Sequence, residues 1–96
     1  MLVQSPELAQ QLVRTWLGSL LDLPDAERAP LMDTLEAWVE TSGSAGRTAE
    51  LVHCHRNTVL NRLRRLSDAT GHDLTTGTTP VELVLALRAR RVLGPG

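Results

Sequence analysis

The sequence predicts an all-α fold, a bundle of four to five helices, and three observations carry that reading. Leucine, valine and alanine recur at helical spacing in one segment after another. Phe and Tyr are absent, so apart from Trp16 and Trp38 the core must be built from aliphatic side chains, whereas sheets draw heavily on aromatic residues. Helix-end residues (Ser, Thr, Pro, Gly) also punctuate the apolar segments where helices would start and stop. The 96 residues suit a single domain. A chain of this size buries only about 60 to 70% of its unfolded surface, so a few well-packed helices or a partner must complete the core.

The first helix is expected over about 6–17. Ser5, Pro6 and Glu7 supply an N-cap, a first-turn proline and an acid at the positive end of the helix dipole. Leu8, Leu12, Val13, Trp16, Leu17 and Leu20 follow on one stripe, which Gly18 and Ser19 weaken. Pro24 marks a connection, and Pro30 fits the first turn of a second helix over about 30–41, with Leu31, Leu35, Trp38 and Val39 on one face. Thr41-Ser42-Gly43 stops it, and Ser44 caps a short third helix over about 45–52.

After a turn through His53 and Cys54, a fourth helix is expected over about 56–69, with Val59, Leu63 and Leu66 pointing inward. Its other faces carry Arg56, Asn57, Leu60, Asn61, Arg64 and Ser67. His53 stands at a turn position that favours glycine, which predicts a strained backbone if φ is positive there. Thr70-Gly71 closes the helix, and 71–79 is read as a polar loop. Thr79-Pro80-Val81-Glu82 has the spacing of a capping box for a last helix over about 80–93. Val81, Leu83, Val84, Leu85, Leu87 and Val92 cover more than one stripe of it, which suits a helix placed between the core and a second subunit.

Composition removes several functions. Every basic residue is arginine, so neither a P-loop lysine nor a Schiff-base lysine is available. Cys54 is the single cysteine and cannot form an internal disulfide. No secretory leader and no apolar run near the roughly 18 to 20 residues of a membrane span is present, so a cytoplasmic protein without membrane contact is expected. The net charge of −1 hides a polarity. Residues 1–43 hold two arginines against seven acids, and residues 44–96 hold eight arginines against four. The stretch 55–65 carries four arginines and no acid, as a face that meets a polyanion would.

Two short helices joined by a tight turn, the second with basic and amide side chains over its first turns, form the arrangement that reads double-stranded DNA. Arginine can bond the paired acceptors of guanine and asparagine can pair donor and acceptor with adenine, so Arg56, Asn57 and Asn61 are the base-reading candidates. Ser44, Arg47, Thr48 and Thr58 suit phosphates. His55, Arg62, Arg64 and Arg65 complete the basic stretch. The competing interpretation is a protein–protein interaction or dimerisation module in which this helix is merely solvated. His53-Cys54-His55, with His72, also raises a metal site, but its ligands lack convergent spacing and a second cluster, so no metal or cofactor and no enzymatic activity are expected. Cys54 is read instead as a small apolar residue after the turn, and the histidines as surface or phosphate-contacting groups.

Residues 34–74 resemble the C-terminal helix-turn-helix domain of PucR/CdaR-type bacterial transcriptional regulators. The resemblance rests on His55-Arg56-Asn57-Thr58, Arg62-Leu63-Arg64-Arg65-Leu66, Thr70-Gly71, Asp73-Leu74 and the later Leu85-Ala86-Leu87-Arg88. The helical pair is also similar to the DNA-binding end of Fis-type proteins, which implies a shared trihelical core. The resemblance implies sequence-specific DNA binding with the fourth helix in the major groove, and a chain that is the C-terminal fragment of a larger regulator. A homodimer is expected through the apolar last helix or a sensory region outside this chain, because helix-turn-helix readers mostly act as dimers. Leu60 and Asn61 stand where such domains usually have Arg and Tyr, which implies one phosphate contact and one stacking or hydroxyl contact fewer, and hence weaker intrinsic affinity. An exposed Leu60 would suit a thymine methyl group.

Overall fold

The computed structural model describes residues 6–76 and 80–93 of the chain. It is all-helical, with five helices among the described residues: α1 (Pro6–Leu21), α2 (Asp25–Glu40), α3 (Ala45–Leu51), α4 (Arg56–Thr70) and α5 (Val81–Leu93). The expected caps Ser5 and Thr79 lie outside the described residues. α1 packs along α5 and against α4, while α4 also packs on α2 and α3. Because α4 touches three other helices, whatever its outer face carries is displayed from the centre of the fold.

α1 runs through Gly18 and Ser19 to Leu21. A glycine inside a helix costs about 1 kcal/mol relative to alanine, whereas Leu17 and Leu20 on either side of it are fully buried and contribute about 1.5 to 3 kcal/mol each. Burial therefore prevails over local propensity. Leu8, expected on the inward stripe, is instead 71% exposed, whereas Ala9 is buried. Leu12, Val13 and Trp16 pack against the core's edge.

α2 departs most from the sequence reading. It begins at Asp25 on an N-cap of Pro24, with Asp25 and Glu27 in its first turn, and so Pro30 lies inside the helix and not at its start. The Pro24 carbonyl accepts from the N–H groups of Glu27 and Arg28, which closes the first turn. An interior proline removes one backbone bond and costs about 3 kcal/mol. Leu31, Met32, Leu35 and Trp38 immediately follow it into the core and outweigh that cost. Thr34, also fully buried, donates its hydroxyl to the Pro30 carbonyl at 2.8 Å.

The inward stripe of α4 is Val59, Leu63 and Leu66, each fully buried. Gly71 ends the helix in the left-handed region at φ 76°, where a glycine has no Cβ to strain. The segment beyond it is not only polar. Leu74 is fully buried, held by its N–H bonding to Ser67 Oγ at 2.9 Å, while Ser67 donates to the Leu63 carbonyl at 2.8 Å. Nearby, His72 stacks on Trp16 with ring centroids 4.3 Å apart. α5 buries Leu83, Ala86, Leu87 and Ala89 and leaves Val81, Leu85 and Val92 exposed along the opposite side.

Candidate nucleic-acid interface

The interface is built by two consecutive turns. Each ends one helix in the same way: a residue in the left-handed region, Ser42 at φ 57° or His53 at φ 54°, reverses the chain. The N–H that follows reaches back to a carbonyl five residues earlier, Gly43 to Trp38 at 2.9 Å and Cys54 to Ala49 at 3.1 Å. The positive φ suspected at His53 from its place in the turn is thus present, and Cys54 beside it is half-buried against the core.

Each turn then starts the next helix with a side-chain cap. Ser44 Oγ accepts from the Arg47 N–H at 3.3 Å to open α3. His55 Nδ1 accepts from the Asn57 N–H at 3.0 Å to open α4. That bond uses the Nδ1 lone pair, so in the neutral ring the hydrogen sits on Nε2, where it is available to an outside acceptor.

Inside this frame, Thr48 is fully buried, and its hydroxyl lies 2.9 Å from that of Thr41. It is therefore withdrawn from the phosphate-contacting set: a short helix crossing α4 turns this residue inward and leaves Arg47 outside. Arg62 is only half-exposed and donates to Thr34 Oγ1 at 3.2 Å, tying α4 to α2. Arg65 is exposed but lies 3.7 Å from the Glu27 carboxylate. Leu60 packs against the core's edge and is not a free apolar contact.

The remaining residues share the surface. His55, Arg56 and Asn57 are exposed at the start of α4, with Thr58 half-buried beside them. Asn57, Asn61, Arg64 and Asp68 are exposed at spacings of four, three and four, which places them on one stripe opposite the buried one. Along it Arg64 Nη1 donates to Asn61 Oδ1 at 2.9 Å. Asp68 ends the cationic part of the stripe, and beyond it two bonds from Thr75, its hydroxyl and its N–H, hold the exposed Asp73 carboxyl below its ordinary pKa. A groove on the α2 side, lined by Asp33, Glu36 and Glu40 together with His53, Arg62 and Arg91, is acidic along its α2 wall. The exposed cations of α4 thus lie ahead of Asp68, and the acidic side chains of α2 lie on a different side of the molecule.

The second of the two turned helices thus displays a cationic, amide-bearing face, the design of a helix-turn-helix domain of transcriptional regulators. The family model of the PucR C-terminal helix-turn-helix domain matches residues 31–89, and the chain belongs to that family. It is also 36% identical over 67 residues to a purine catabolism regulatory protein of Bacillus subtilis (strain 168), a match that covers 70% of this chain and 13% of the relative. No solved structure matches the chain. No helix among the described residues is long and apolar enough to cross a membrane.

Sequence reasoning missed Thr41, whose hydroxyl accepts from the Ser44 N–H at 3.2 Å and meets Thr48, so that one side chain fixes the start of α3. Its signal was present: a threonine three residues before a capping serine is placed to bond that serine's backbone.

Proposed function

We propose that the chain is the DNA-binding module of a larger transcriptional regulator and that α4 lies in the major groove of double-stranded DNA. The observation that carries this is the acid-free stretch from His55 to Arg65, which exposes His55, Arg56 and Asn57 at the start of α4 and Asn61 and Arg64 on the side opposite the fully buried Val59-Leu63-Leu66 stripe. A helix so anchored has a fixed backbone, which sets where along a groove each exposed side chain starts. Arg56 and Asn57 read bases at the first turn. Ser44, Arg47, His55, Thr58 and Arg65 hold phosphates, with Arg65 exchanging its surface contact to Glu27 for the backbone at little cost, since such exposed pairs contribute about 0 to 1 kcal/mol. Val81, Leu85 and Val92, exposed along α5, support a homodimer formed through this helix.

The test is selection of bound sequences from a pool of duplexes, followed by a salt titration. Affinity is expected to fall steeply between about 50 and 200 mM salt, by about 10³ to 10⁵ if six or more phosphates are neutralised. Arg56→Ala is expected to cost about 1 to 3 kcal/mol and to relax preference at one base position. A variant that binds the selected site as tightly as the parent takes Arg56 out of that role. The same exposed α5 side chains favour a second reading, an association module with little DNA affinity of its own. Association through them weakens little with salt, so the titration separates the two.

A further inference from the structure

Asn61 and Arg64 occupy the same outward stripe of α4, one turn apart and joined by the 2.9 Å bond from Arg64 Nη1 to Asn61 Oδ1. We infer that this pair acts as one donor-only reading unit that selects guanine, and not adenine, at the base pair beneath it. The inference rests on α4 lying in the major groove.

A guanidinium carries five N–H groups and no acceptor, so the amide must turn its oxygen toward Arg64 and its NH2 group away. Asparagine reads adenine by using both ends at once, its oxygen accepting from N6 and its nitrogen donating to N7. Here the oxygen is engaged by a cation, and the nitrogen is the end left without a hydrogen bond among the described residues. The second lone pair of Oδ1 does not restore adenine reading. A base amino group brought to it also approaches the guanidinium, and two partial positive charges then meet across a desolvated groove. Cytosine is disfavoured for the same reason. Guanine presents two acceptors, N7 and O6, side by side, which is what Asn61 Nδ2 and the remaining N–H groups of Arg64 are equipped to meet.

The bond also prepares the arginine. An exposed guanidinium samples many rotamers, and one N–H held by Asn61 restricts them before DNA arrives, which lowers the ordering cost of binding. Asn57 differs from Asn61. Its backbone N–H is taken by His55, but its side-chain amide makes no hydrogen bond among the described residues, so both of its ends remain available to adenine. Two asparagines four residues apart on one stripe are thereby given opposite preferences, and the arginine at 64 sets that of Asn61.

The experiment is selection from a randomised duplex pool with the parent chain and with Asn57→Ala, Asn61→Ala, Arg64→Ala and the Asn61→Ala/Arg64→Ala pair. Thermal melting checks that these exposed positions leave the fold unchanged. The expected result is one guanine whose preference falls on the order of tenfold or more in both single variants, and no further in the pair. Asn57→Ala is expected to relax a different base. Adenine selected beneath Asn61, or losses that add and fall on two separate bases, overturns the inference while leaving DNA reading by α4 intact. A parent chain that retains no duplex even at low salt overturns both.

Discussion

The turn that joins α2 to α3 and the turn that joins α3 to α4 share a left-handed residue in the same register, and the first adds a second positive φ at Gly43, 87°. A left-handed residue, Ser42 or His53, stands two positions ahead of a capping side chain, Ser44 or His55. What surrounds the device differs. The first turn is held from inside: the buried Thr41 hydroxyl meets Thr48 at 2.9 Å and the Ser44 N–H at 3.2 Å. In the second turn His53 and His55 are both exposed, and His55 is itself a candidate contact. Placing a helix against the core requires buried hydrogen bonds, whereas presenting a helix to a partner requires side chains left outside. The first turn does the former and the second the latter.

Both turns depend on α4, so the largest expected effect is common to them. Leu63→Ala removes a fully buried side chain from the stripe that α3 and α2 pack on, and is expected to cost about 2 to 5 kcal/mol in urea or thermal unfolding. Unchanged stability would mean that the stripe does not anchor α4. The first turn alone is weakened by changes at its buried threonines. Thr48→Val removes one partner from Thr41, which keeps the Ser44 N–H, and is expected to cost about 1 kcal/mol. Thr41→Val leaves the Thr48 hydroxyl without its partner and the part-buried Ser44 N–H without its acceptor, and is expected to cost about 1 to 3 kcal/mol in all. If the two substitutions cost the same, Thr41 is not the centre of that network.

The α4 stripe and the α3 cap were legible in the sequence because both are local: spacings of four and three, and a serine ahead of a short helix. So was the basic face, since no acid interrupts residues 55–65. The errors are tertiary. Pro30 reads as a helix start by local rule, and only the burial of Leu31, Met32 and Leu35 shows why the helix continues through it. Thr48 and Arg62 have the right chemistry for phosphate, but a seven-residue helix packed on α4 turns Thr48 inward, and Thr34 on α2 engages Arg62. Leu74 is a lone apolar residue in a polar segment, with no period to announce it, yet it is fully buried.

At the second turn the expected change in stability is small. A left-handed backbone costs a residue with a Cβ about 1 to 2 kcal/mol, which glycine does not incur, although glycine gives back about 0.5 to 1 kcal/mol through the entropy of its unfolded chain. At His53, φ is 54° and the side chain is exposed, so little packing is lost with it. His53→Gly is therefore expected to raise stability by roughly 0.5 to 1 kcal/mol in equilibrium unfolding. The informative second readout is affinity for the selected duplex. A gain in stability with unchanged affinity means that the histidine is tolerated strain. A gain in stability with weakened binding means that the strain is retained for a contact His53 makes to DNA, the arrangement expected where a turn is built to present side chains. A loss of stability would show that the imidazole supports the turn, and the contrast between an inwardly fixed turn and an outwardly directed one would then fail.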